Sequence, residues 1–239
     1  MVELQETPER LYHFTEAKYA FDDLRNRRLK IAQFNNLNDP FELRSGDLSD
    51  PIHKWAFDRF IEEMEPRFGL LCFSQRWNDV LQWSHYADHH RGVCLGFDVS
   101  EAVGKFGAVC YESKKKKFPE KLDESDTAFM WELLRTKYAG WEHENEWRVF
   151  IELKDGMWNE CARRKLYFVD FGPELVLREV LLGAENSNKA SEVRDAISGY
   201  AGADTVQVAR IHLSPSTFEL ERHVVSSARV LHISPSDQH

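Results

Sequence analysis

Apolar residues along this chain fall into short runs of strand length and a few helical stripes, and that pattern predicts most of its elements. Leu11-Tyr12-His13-Phe14-Thr15 reads as a first strand. Ala17, Phe21 and Leu24 then lie on one stripe of a helix over about 16–26. A second strand is expected over 29–34, followed by the turn-rich Asn35-Asn36-Leu37-Asn38-Asp39-Pro40. A helix over about 51–65 presents Ile52, Trp55, Ala56, Phe60 and Met64; Pro51 suits its first turn, with Asp50 or Ser49 as cap. Residues 68–74 are apolar on both faces, the mark of a central buried strand. Asn78 or Asp79 caps a helix reaching about His89, with Gly92 placed to end it. Further strands are expected over 93–97, 108–111, 147–153, 166–171, 180–182 and 206–213, with helices over 128–138 and 191–200. Strands outnumber helices and do not alternate with them regularly. The expectation is therefore α+β: a single domain over 1–239 whose bent or split, mainly antiparallel sheet is flanked by helices. Its motif-bearing core is 11–153, and 154–239 form a C-terminal strand and helix extension.

Composition narrows the class. A chain of 239 residues, 42% hydrophobic and 13% aromatic, can build a sizeable core. No apolar run approaches the ~20 residues of a membrane span, and the acidic start through Glu3 and Glu6 has no signal-peptide core. Cys72, Cys94, Cys110 and Cys161 form no C-x-x-C pair, which suggests reduced, mostly buried thiols and a cytoplasmic protein. A net charge of −9 argues against non-specific nucleic-acid binding. Lys114-Lys115-Lys116-Lys117 reads most simply as a solvated loop, with a phosphate-contacting patch as the minority option.

The candidate chemistry centres on Glu144-Asn145-Glu146-Trp147-Arg148. Strand alternation puts Glu144, Glu146 and Arg148 on one face and Trp147, Val149 and Ile151 on the other. Paired acids beside a guanidinium can stabilise positive charge developing on a sugar carbon or orient a ribose hydroxyl; the bland alternative is a solvated Arg–Glu ladder. Asn38-Asp39-Pro40-Phe41-Glu42 reads as a structural turn, or else as a rigid loop lining a cleft with Phe41 as buried anchor. His85 and His89, one helical turn apart, have a spacing compatible with two metal ligands. No H-E-x-x-H acid accompanies them, so helix-end histidines are the favoured account and no metal is expected. His13, alone in an apolar strand, is more simply a hydrogen-bonded core residue. The serine-hydrolase elbow and the Walker and Rossmann glycine loops are all absent.

In order along the chain, several segments resemble the prokaryotic domain of unknown function 2971 family. They are residues 11–15, the 38–42 turn, Cys72-Phe73-Ser74, Trp83-Ser84-His85-Tyr86, residues 91–98 and Lys137…Trp141…Glu144-x-Glu146-Trp147-Arg148. That family carries no biochemistry. The order of His13, then Tyr86 or Ser74, then Glu144-x-Glu146 is also similar to ADP-ribosyltransferases. That second resemblance implies NAD as substrate, a dinucleotide partner and an acceptor that the sequence does not name. By it, His13 anchors the distal ribose, Tyr86 stacks on nicotinamide, Glu144 positions the acceptor and Glu146 contacts the nicotinamide ribose. Ser74, Asn38, Asp39 and Arg148 are candidates for the substrate-binding wall. The implied function is NAD-dependent ADP-ribosyl transfer or NAD glycohydrolysis. The rivals are a non-catalytic ligand-binding or interaction module and a metal-dependent hydrolase using His85 and His89.

Overall fold

The computed structural model describes residues 8–37, 39–119, 127–154, 157–161 and 164–226; Asn38, the acidic residues Glu3 and Glu6, and the end of the C-terminal extension lie outside them. The first half of the chain supplies β1 (Leu11–Thr15), α1 (Ala17–Asn26), β2 (Arg28–Ile31), α2 (Pro51–Met64), β3 (Phe68–Ser74), α3 (Val80–Tyr86), β4 (Val93–Val99), β5 (Lys105–Ala108) and β6 (Cys110–Glu112). The second half adds α4 (Thr127–Leu134), β7 (Thr136–Tyr138), β8 (Glu146–Glu152), β9 (Trp158–Cys161), β10 (Arg164–Asp170), β11 (Leu175–Leu182), α5 (Ala190–Ile197), β12 (Gln207–Leu213) and β13 (Leu220–Ser226).

Eight strands form the main sheet in the order β13-β12-β11-β4-β1-β3-β8-β5. Every neighbouring pair in it is antiparallel except β11 and β12. Smaller sheets are β2-β10-β9 and the parallel pair β6-β7. The architecture is thus α+β with a large, mainly antiparallel sheet flanked by helices.

Alternation decides which residues meet. On one face of the main sheet, Leu11, Leu71, Phe73, Leu95, Phe97, Trp147, Val149 and Ile151 pack with Phe21 and Leu24 of α1 and Val193 and Ile197 of α5. The opposite face is covered in two places. Trp83 and Ala87 lie over Tyr12, Phe14 and Cys94, while α2 and α4 bring Phe57, Phe60, Met130 and Leu133 against Leu70 and Phe150. Both faces of β8 are therefore buried, so it is not the half-solvated strand its acids suggested. Trp147, 3% exposed and 5.0 Å from the Phe106 ring, anchors the first face. Trp147→Ala should destabilise the protein by about 3–5 kcal/mol through lost burial and a cavity, and an unchanged urea midpoint would contradict this packing.

Several expected boundaries shift for tertiary reasons. The strand expected to reach Phe34 ends at Ile31; Ala32 still bridges Leu70, and Phe34–Asn36 then form one tight 3-10 turn. In α2, capped by Asp50 as expected, Phe57 and Phe60 face the core, whereas Ile52 and Trp55 are exposed. The helix expected over 128–138 stops at Leu134, because the backbone of Thr136–Tyr138 pairs with β6 instead. Strands β9 and β13 had no counterpart in the hydrophobic pattern. Of the described thiols, Cys94 is buried, Cys72 half-buried and Cys110 exposed, and the Cys161 side chain lies outside the described residues.

Candidate functional site

The main sheet splits where it carries its chemistry. Strand β1 pairs with β4 along its whole length, but with β3 only at Tyr12 and Ser74. In the resulting gap, His13 Nδ1 lies 3.0 Å from the Cys72 carbonyl oxygen. A carbonyl only accepts, so Nδ1 carries the proton and Nε2 keeps a lone pair. Burial pushes the His13 pKa down, opposed only by that hydrogen bond, and the ring is a neutral acceptor. A cavity of about 190 Å³ opens here, lined among others by His13, Ser74, Gln82, Tyr86, Glu144 and Glu146.

One wall of the cavity is a buried charge cluster. Register on β3 and β8 sets Cys72 opposite Arg148 and Ser74 opposite Glu146, with Glu146 and Arg148 directed to the same face. Arg148 is fully buried: Nε and Nη2 donate to the two oxygens of Glu146 at 2.9 and 3.0 Å, Nη1 donates to the Leu134 carbonyl at 2.6 Å, and Nη2 also reaches Glu42. Lys137, from β7, lies 2.6 Å from Glu144, 3.1 Å from Glu146 and 3.3 Å from Glu42. The hydroxyl of Tyr86, the last residue of α3, donates to Glu144 at 2.6 Å. The cluster thus sets three carboxylates, Glu42, Glu144 and Glu146, against two cations.

Glu144 reaches this place by a route strand alternation does not foresee. It ends a 3-10 turn over Ala139–Glu144, and Asn145 follows in the left-handed region (φ 46°). Asn tolerates that conformation better than most residues, and it swings the Glu144 side chain beside Glu146 across the turn. The Glu144 carbonyl is held by Ser74 Oγ at 2.6 Å and Gln82 Nε2 at 2.9 Å. The Tyr111 hydroxyl accepts the Glu146 backbone N–H at 2.8 Å.

The two acids titrate in opposite directions. For Glu146, burial pushes the carboxyl up, but the Arg148 guanidinium and then Lys137 outweigh it and hold the pKa at about 2. For Glu144, burial again pushes up, and Lys137 and Tyr86 offset it only in part, so its pKa is raised. Lys137 itself is held above the usual ammonium range; burial opposes this, and the three carboxylates prevail. A stability profile follows. The Glu146 contribution is complete above the ordinary glutamate pKa of about 4.3 and is lost as pH falls from there towards about 2. Glu144 acts with the opposite sign: its ionised form is disfavoured in the fold, so protonation on descending from neutrality stabilises. The urea midpoint should hold or rise from pH 7 to 5 and then drop below about 4.3. A steady fall beginning at neutrality would contradict the assignment.

Of the residues singled out in the sequence, His13, Ser74, Tyr86, Glu144 and Glu146 line this one cavity. Ser74 is occupied in structure, donating to the Glu144 carbonyl and accepting from the Arg76 backbone. Arg148 lies behind the wall. Asp39 lines a neighbouring cavity, where its carboxylate caps the Phe41 backbone at 2.9 Å, and Phe41 is 66% exposed rather than a buried anchor. Asn38 is outside the described residues. The basis of the metal reading does not hold: α3 ends at Tyr86, and Asp88, His89 and His90 all have positive φ, so His89 does not share a helical face with His85. Among the described residues, no group of three or more His, Cys, Asp or Glu side chains is arranged to hold a metal ion. Lys137, Glu42 and Gln82 were not singled out as site residues. The signal for the first two was indirect: an acid pair on a strand buried on both faces requires buried cations, and a buried cation further acids.

Residues 82–149 match the model of a family described as "Protein of unknown function (DUF2971)". The match supports the resemblance to that family and takes in Tyr86, Lys137, Glu144, Glu146 and Arg148. No curated protein and no solved structure gives a significant match to the chain. No helix among the described residues is long and apolar enough to cross a membrane.

Proposed function

We propose that the acidic cavity takes the nicotinamide-ribose end of NAD and cleaves its N-glycosidic bond, transferring ADP-ribose to water or to another acceptor. The observation that carries this reading is the excess of one carboxylate over the cations in a buried wall. An oxocarbenium-like ribosyl centre is the kind of transition state such a wall stabilises, because fixed negative charge in a poorly solvated site acts on positive charge as it develops. Breaking the C1′–N bond leaves its electron pair on nicotinamide, which departs neutral. The incoming oxygen bonds to C1′ and gives up its proton to Glu144. A carboxylate whose pKa burial has raised is a stronger base than a free glutamate and is suited to receive it. His13, a neutral acceptor in this cavity, receives a hydrogen bond from a hydroxyl of the nicotinamide ribose, not of the distal ribose that the resemblance implies, and Tyr86 borders the nicotinamide while orienting Glu144. Glu146 keeps its charge under Arg148 and supplies the fixed field.

The engagement of both Glu146 oxygens by Arg148 favours a second reading, a ligand-binding module without chemistry. Incubation of the protein with NAD, followed by chromatography for nicotinamide and ADP-ribose, separates the two. Release that depends on the protein supports cleavage. A ligand-dependent rise in melting temperature without nicotinamide release supports binding alone, and the absence of both effects overturns the reading for NAD.

A further inference from the structure

The acidic cavity, at about 190 Å³, lies below the range of about 300–1,000 Å³ usual for small-molecule sites. It has room for one end of a dinucleotide. Lys137, which forms part of its wall, also lines a second cavity of about 370 Å³. The chemistry there is different. Phe41 and Tyr138 are 66% and 61% exposed, Trp141 completes an aromatic rim, and Arg44, Lys114 and Lys115 supply cations. Asp39 and Glu112 also line it, but Asp39 Oδ1 accepts from the Phe41 amide, Glu112 lies 3.7 Å from Lys116, and Arg44, Lys114 and Lys115 outnumber the two acids. Within the tetra-lysine run the roles divide: Lys116 is a half-buried structural partner, while Lys114 and Lys115 stand exposed at the cavity.

We infer that this second cavity is a nucleotide subsite, holding the adenine on the aromatic rim and the phosphates on Arg44, Lys114 and Lys115. The inference rests on the N-glycosidic reading of the acidic cavity and names the rest of its substrate: a dinucleotide whose two ends are divided between the cavities, with Lys137 common to both walls. Flat rings stack on exposed aromatic side chains, and the lysines act on phosphate as point charges. The segment Lys137–Glu144 links the two halves, since Tyr138 and Trp141 line one cavity and Glu144 the other.

Calorimetry with AMP and adenosine tests the subsite without any turnover. AMP should bind. The exposed pair K114A/K115A should leave the melting temperature unchanged and weaken AMP about tenfold, the scale of losing charge-assisted contacts, with adenosine affected less; Y138A should weaken both ligands. No AMP binding, or AMP binding indifferent to K114A/K115A, overturns the inference whatever NAD does. Tighter binding of a single-stranded oligonucleotide than of AMP or ADP-ribose overturns it in favour of a nucleic-acid surface. Where the protein cleaves NAD, K114A/K115A should raise the KM for NAD and spare that for nicotinamide riboside; an unchanged KM for NAD also overturns it. AMP binding of the expected kind without NAD cleavage keeps the subsite and discards the cleavage reading instead.

Discussion

Replacing Arg148 by Met should destabilise the protein by roughly 3–5 kcal/mol, or leave it unfolded. The side chain is fully buried and donates to Glu146, Glu42 and the Leu134 carbonyl. Met replaces most of the volume but none of the charge. Glu146 and Glu42 would then share Lys137 as their remaining cation, and Lys137 also serves Glu144. Three carboxylates around one ammonium in a dry wall cannot all stay ionised, so protonation or local opening must follow. The loss should be partly recovered in Arg148→Met combined with Glu146→Gln, because the second change removes the acid that the first leaves unpaired. Urea unfolding of both variants measures this. If Arg148→Met is within about 0.5 kcal/mol of wild type, the range of a neutral surface change, the guanidinium is not the centre of the cluster.

How much of this site was legible depended on whether the controlling force was local. Trp147, Val149 and Ile151 pack as their alternation predicts, because strand periodicity is a property of the backbone alone. The apolar run 68–74 is indeed central, between β1 and β8. His13, Tyr86, Glu144 and Glu146 share a cavity despite their separation in sequence, an ordering carried by the resemblance rather than by periodicity. The hydrophobic pattern puts Lys137 at the end of a helix. Its strand is three residues long and exists only through pairing with β6, and so short a strand carries no readable period. Glu42 sat in a turn that looked self-sufficient, and nothing local says that its carboxylate turns inward to meet Arg148. The end of α3 departs from the pattern for a related reason. Gly92 was expected to stop the helix, but Asp88, His89 and His90 adopt left-handed φ before it. Gly92 serves close approach instead: a Cβ there would lie 2.3 Å from the Thr15 carbonyl oxygen.

Glu144→Gln should lower NAD cleavage by about 10²–10⁴-fold, the range for a lost proton acceptor, while leaving the fold at least as stable as wild type. The two halves of that expectation have separate causes. Glutamine keeps the shape, and its carbonyl can still accept from Tyr86, but it cannot take the proton of the attacking oxygen. On the stability side, the wild-type cluster carries one carboxylate more than its cations can balance. Glu144 is the member whose charge the fold disfavours, as its raised pKa records. Removing that charge leaves Glu42 and Glu146 matched by Lys137 and Arg148. Glu146→Gln should behave differently, since it strips Arg148 of its bidentate partner and should destabilise by about 3–5 kcal/mol. Melting temperature and nicotinamide release, measured on the same preparations of both variants, therefore give a crossed pattern: a stable inactive protein for Glu144→Gln and a destabilised one for Glu146→Gln. Full turnover in stable Glu144→Gln would remove the proton acceptor from the mechanism. Glu146 could not take its place, because a carboxyl held at about pKa 2 by Arg148 and Lys137 is too weak a base to receive a proton near neutrality.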